Sequence, residues 1–224
     1  MTMRYRSRFT AFFSTFAPAL VAALVFTSHV SAAHAAQADD TFTILFLGDS
    51  LTEGLGLDEA ENFPSLVARR LEADGRADVE IVNAGVSGST SASGLGRLQW
   101  FARSQPDLLV LALGANDGLR GLDVNDMKKN LAATIEFAQA NGIDVALAGM
   151  LVPPNMGPDY TSAFAQVFPD LAAQYDLPLL PFLLEGVAAV PELNQADGIH
   201  PNVEGTKIVA ETVYEFLLPL LPSS

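Results

Sequence analysis

Four short apolar runs recur along the chain: "TFTILFLG" (41–48), "VEIVNAG" (79–85), "DLLVLALG" (107–114) and "IDVALAGM" (143–150). Each is short, rich in Val, Ile or Leu, and apolar on both faces, the pattern of a strand covered on both sides. A fifth run, "LPLLPF" (177–182), is weaker, because Pro178 and Pro181 confine it to an edge or a short segment. Helical patterns lie between the runs. Pro64 suits a first helical turn, with Phe63, Leu66, Val67 and Leu71 on one face and Gly75 as a stop. Met127, Leu131, Ile135 and Ala138 make a second stripe ended by Gly142, and Ile208, Val209, Thr212, Val213, Phe216 and Leu217 a third. Strand, helix, strand, repeated, implies an α/β fold whose parallel sheet has helices on both sides.

Residues 1–36 read as a secretory signal, and 37–224 as one domain. Arg4, Arg6 and Arg8 precede the apolar stretch 11–26, and small residues at Ala33 and Ala35 suit a cleavage site. Without that segment, nine of the 12 basic residues remain against all 26 acids, a formal charge near −17, and His200 is the sole histidine left of three. Such a charge argues against nucleic acid and anionic membrane surfaces as partners. The chain has no cysteine, so neither a disulfide nor a lipid anchor on cysteine is available, and core packing must hold the domain. The expected protein is exported, periplasmic or secreted, monomeric, and not stably inserted in a membrane once the signal is removed.

In open parallel sheets, sites lie outside the carboxyl ends of the strands. The first run ends in "GDSLTEG" (48–54), which puts Ser50 at the sheet mouth; a serine there is either a helix cap or a nucleophile in need of a base. The second ends in "NAGVSGSTSASG" (83–94), where Gly88 could present a backbone N–H to a developing oxyanion or simply belong to a pliant loop. Ser87 in that loop lacks the second glycine of a nucleophile elbow, since Ser89 stands in its place. The third ends in "GANDGLRG" (114–121): Asn116 offers an amide donor, Asp117 suits an Asx turn, and Arg120 either a surface salt bridge or an anionic substrate group. Last, "ADGIHPN" (196–202) sets Asp197 three residues before His200, so that the acid can hold Nδ1–H and leave Nε2 free as a base. One histidine and no cysteine supply too few ligands for zinc, so no metal is expected.

At these four blocks the sequence resembles the SGNH hydrolases, also called the GDSL esterase/lipase family, from about residue 42 to 219. "NDGLRG", "DLPLLPFLLEGV" and "DGIHPN" are similar to its bacterial periplasmic subgroup of multifunctional thioesterases, arylesterases and lysophospholipases. The resemblance implies a flavodoxin-like, three-layer α/β/α sandwich around a five-stranded parallel sheet, and no cofactor. It further implies Ser50 as nucleophile, His200 as base, Asp197 as its orienter, and an oxyanion hole of Ser50, Gly88 and Asn116. Ala115 and Ala196 depart from the subgroup's usual glycine and aspartate, outside any catalytic role. The walls of the substrate site are expected at Asp49, Asp117, Gly118, Leu119, Pro154 and Met156. The implied activity is hydrolysis of acyl esters and thioesters through an acyl-enzyme. Coenzyme A thioesters are anionic and largely cytoplasmic, so esters such as lysophospholipids and aryl or alkyl esters are the expected substrates of an exported enzyme. The rival readings are a carbohydrate O-acetyl esterase, for which Trp100 alone offers little stacking surface, and a binding protein for acyl ligands, which would need no serine–histidine pair.

Overall fold

A computed structural model describes residues 41–222; the segment read as a signal lies outside the described residues. Five parallel strands, β1 (Phe42–Gly48), β2 (Val79–Gly85), β3 (Leu108–Ala112), β4 (Asp144–Ala148) and β5 (Leu179–Leu180), form one sheet in the order β2-β1-β3-β4-β5. This is the flavodoxin-like order, and the chain reverses direction across the sheet between β1 and β3. Ile44, Leu45, Phe46 and Leu47 on β1 are at most 1 % exposed, as a central strand covered twice requires. β5 pairs over only two residues, because Pro178 and Pro181 flank it.

Right-handed crossovers that run left from β1 and right from β3 put their helices on opposite faces. On one face α2 (Phe63–Ala73) packs against α7 (Val203–Leu217); on the other α3 (Gly94–Phe101), α5 (Val124–Ala140) and α6 (Pro158–Tyr175) pack in succession. The helix starts follow local chemistry. Asn62 caps α2 by accepting from Ser65 N–H at 2.8 Å, Asp123 caps α5 from Asn125 and Asp126, and Asn202 caps α7 from Glu204 and Gly205. Phe63 then buries its ring edge-on against Phe46, centroids 5.4 Å apart, which ties α2 to the central strand.

The helices add one element and one correction to the sequence reading. The 18-residue α6 carries Pro169 in its interior and buries Phe164, Val167, Phe168 and Leu171, so burial of that apolar face outweighs the proline's missing bond. On α7 the buried stripe is Val209, Ala210, Val213, Tyr214 and Leu217, whereas Ile208 is 38 % exposed. Among the described residues no helix is long and apolar enough to cross a membrane.

Candidate active site

The carboxyl ends of β1, β2 and β3 converge on one spot, with Gly48 in register with both Gly85 and Ala112. The single-turn helix α1 (Ser50–Glu53) follows β1 at once, and its backbone lies on the end of β2: a Cβ on Gly85 would fall 2.1 Å from the Glu53 nitrogen. Only glycine at position 85 lets α1 come this close. Beneath it the half-buried guanidinium of Arg97 donates to the carbonyls of Gly48 (2.9 Å) and Ala84, binding the two strand ends together.

Ser50 opens α1, so its N–H has no helical carbonyl to bond. Its Oγ stands 2.9 Å from His200 Nε2, and His200 Nδ1 stands 2.7 Å from Asp197 Oδ2. A carboxylate only accepts, so Nδ1 is the protonated nitrogen and Nε2 is free to accept the serine hydroxyl. The other oxygen of Asp197 accepts the N–H groups of Ile199 and His200 at 3.0 and 3.1 Å. These contacts, the His200 ring foremost, hold its pKa down at about 2, so it is an anion throughout the ordinary pH range.

This pair sits on a loop with its own framework. Asn194 and Pro201 form an antiparallel bridge, and Gln195 N–H donates to the His200 carbonyl at 2.8 Å. The Gln195 amide reaches Pro201 O at 2.9 Å and Leu55 O at 2.7 Å, fastening the loop to the segment that carries Ser50.

The other predicted donors, Gly88 and Asn116, follow β2 and β3 and line the same cavity as Ser50. Gly88 has φ +76, a left-handed conformation that disfavours a side chain. Two ions hold its loop in place. Glu53 accepts the N–H of Ser87 at 2.6 Å together with its hydroxyl, and Arg120 donates to Gly88 O at 2.9 Å. Ser87 therefore faces a carboxylate rather than a histidine, and Arg120 forms no salt bridge among the described residues, contrary to that expectation. Asn116 lies on α4 (Ala115–Leu119), with its amide nitrogen 3.3 Å from Asp49 Oδ2. Asp49 caps α1 by accepting from Leu51 N–H at 3.0 Å and is 1 % exposed; burial raises its pKa to about 6 despite these bonds and the nearby His200.

Above the serine opens a cavity of about 450 Å³ with aliphatic walls that include Leu55, Leu119, Leu151, Val152 and Pro154. Of the six residues expected at the substrate walls, Asp49, Leu119 and Pro154 line this cavity, whereas Asp117, Gly118 and Met156 do not. Asp117 is buried and takes the N–H and hydroxyl of Ser91 at 2.8 and 2.6 Å. Gly118 faces Val152 and Phe164, which leave no room for a Cβ, and Met156 lies over Gly121 on the turn Pro154–Met156. The contacts of Arg97, Glu53 and Ser91 were not anticipated; each joins residues far apart in sequence and leaves no local motif. Among the described residues no three His, Asp or Glu side chains gather as a metal site.

Comparison with known proteins agrees with this fold. A model of the GDSL-like Lipase/Acylhydrolase family matches residues 46–208. Esterase TesA of Pseudomonas aeruginosa is 45 % identical over 180 residues, which cover 80 % of this chain and 89 % of that protein. Thioesterase 1/protease 1/lysophospholipase L1 of Escherichia coli K12 is 36 % identical over 188 residues, 84 % of this chain and 87 % of the relative. A crystal structure of TesA superposes with a TM-score of 0.76 at 44 % identity, covering 80 % of this chain and 99 % of the other. With its strand order, its serine at the end of β1 and this match across most of its length, the chain belongs to the GDSL-like lipase/acylhydrolase family of ester-hydrolysing enzymes.

Proposed function

We propose that the chain is an exported serine esterase for apolar acyl esters, thioesters included, with Ser50 as nucleophile, His200 as general base and Asp197 as its orienter. The observation that carries this reading is the unbroken line Asp197–His200–Ser50, with links of 2.7 and 2.9 Å, at the floor of the aliphatic cavity. As Ser50 Oγ attacks the acyl carbon, His200 Nε2 takes the hydroxyl proton, and the Asp197 anion stabilises the imidazolium that forms. The carbonyl oxygen becomes an oxyanion held by the N–H groups of Ser50 and Gly88 and the amide of Asn116. His200 then gives the proton to the departing alkoxide or thiolate. Water, deprotonated by the same nitrogen, attacks the acyl-enzyme and releases the acid.

Cavity and sequence together support the substrate class. Leu55, Leu119, Leu151 and Ile199 stay between 41 and 49 % exposed while lining the cavity, an apolar rim that suits an acyl chain. Trp100 is 63 % exposed on α3 and is no part of the wall, so it offers a sugar ring no platform there. The names of the relatives add thioesters and lysophospholipids as classes to assay. Export rests on the basic, apolar and small-residue pattern of residues 1–36.

The test is hydrolysis of p-nitrophenyl esters from acetyl to palmitoyl by residues 37–224, beside Ser50→Ala and His200→Ala. Both variants should lose about four or more orders of magnitude in kcat. In the parent, kcat/KM should rise by up to about fourfold per added methylene until the cavity is filled, from ~0.8 kcal/mol per buried CH₂. Equal rates in all three proteins would overturn the reading.

A further inference from the structure

We infer that Arg120 is a positioning residue for the oxyanion hole, holding Gly88 and Asn116 in their donor orientation through one guanidinium nitrogen. This rests on the esterase reading above and assigns a role to a side chain that the mechanism leaves unused. Arg120 Nη2 donates to Gly88 O at 2.9 Å and lies 3.5 Å from Asn116 Oδ1. The first is a charge-assisted hydrogen bond; the second, at that length, is a charge–dipole contact.

An amide has two ends, and only one of them serves an oxyanion. At Asn116 the cation of Arg120 meets the oxygen, and the carboxylate of Asp49 meets the nitrogen 3.3 Å away. A flipped amide would set its oxygen against a carboxylate and its N–H₂ against a guanidinium, so the two charges select the same orientation from opposite sides. At Gly88, which stands at φ +76, the same nitrogen binds the carbonyl and so fixes the peptide that follows the proposed donor N–H. Glu53 holds the preceding residue, Ser87, from the far side of that loop. Arg120 is exposed on a surface with a large excess of acids, yet it forms no salt bridge among the described residues. Its partners are the two residues that must be aimed.

The test is a double-mutant cycle with p-nitrophenyl butyrate. Arg120→Met keeps the aliphatic stem, Arg120→Lys restores one charged donor, and both are made with Asn116 intact and in Asn116→Ala. With Asn116 present, Arg120→Met should lower kcat about tenfold with KM within about twofold, and Arg120→Lys should recover at least half of that loss on a logarithmic scale. In Asn116→Ala the same Arg120→Met change should cost only about twofold to threefold, because one of its two targets is gone. A merely structural role would lower the melting temperature and leave the two factors equal. Equal factors, with hydrolysis still dependent on Ser50, overturn the proposal alone. A loss confined to KM and larger for mono-p-nitrophenyl succinate than for the neutral ester overturns it too, because Arg120 would then be meeting substrate charge. Hydrolysis at the parent rate in Ser50→Ala overturns the esterase reading and the proposal together.

Discussion

Replacing Asp49 by asparagine separates what this carboxylate does for the fold from what it does for the site. Asp49 is 1 % exposed, and burial lifts its pKa from 3.8 to about 6 against the pull of Leu51 N–H, the Asn116 amide and His200. The fold therefore binds this proton more tightly than the unfolded chain does. The resulting stability is fully present below 3.8 and is lost as the pH rises through about 6. At ~1.4 kcal/mol per pH unit, the ionised carboxylate burdens the folded protein by about 3 kcal/mol at neutral pH. Asparagine still accepts from Leu51 N–H but carries no charge. Relative to the parent, Asp49→Asn should thus gain about 2.5 kcal/mol between pH 4 and pH 8, or roughly 5–10 °C in Tm for a domain of this size. Paired urea titrations of residues 37–224 at both pH values read this directly. The same change removes the anion that faces the Asn116 nitrogen, so kcat should fall about tenfold even as the protein becomes harder to unfold. A stability difference that is the same at pH 4 and pH 8 refutes the reasoning, and so does a variant with full kcat.

Other substitutions probe separate links. Asp197→Asn should cut kcat by about 10²–10⁴ by releasing the His200 ring, with little change in Tm because the acid is half exposed; a loss below fivefold in a steady-state assay would contradict that. Gly85→Ala forces a Cβ to 2.1 Å from the Glu53 nitrogen, so α1 must shift; about 2–3 kcal/mol should go in chemical denaturation, and kcat should fall with it. Ser91→Ala leaves one oxygen of buried Asp117 without its 2.6 Å partner and should cost about 1–3 kcal/mol in the same assay. Ala188→Phe fills part of the cavity and should shorten the preferred acyl chain in the p-nitrophenyl series, leaving acetyl-ester kcat within about twofold.

Residues that act through a local signal were legible in the sequence. Ser50 follows a strand with a tight turn, Asp197 and His200 share one turn, and the apolar runs announce the parallel sheet. What escaped was held together across the chain. Asp117 reads as a turn residue, yet its carboxylate closes on Ser91, 26 positions earlier. Glu53 meets Ser87 across 34 positions, and Arg97 bonds to backbone carbonyls that any residue would supply. Helix α6, with Pro169 in its interior, was not among the helical patterns read from the sequence. The cavity walls were the least legible part, since Leu151 and Ala188 are drawn from segments with no motif of their own.

The loop bearing Asp197 and His200 closes on itself through the Asn194–Pro201 bridge and reaches the Ser50 side mainly by way of Gln195. Acid–base machinery and nucleophile are thus separate inheritances: one belongs to the sheet, the other to a nine-residue cassette, 194–202, clipped between β5 and α7. Transplanted into another sheet of the same strand order, the cassette would carry its hydrogen-bonded histidine with it, but would need carbonyls placed as those of Leu55, Val187, Val190 and Glu192 are here to receive its amides.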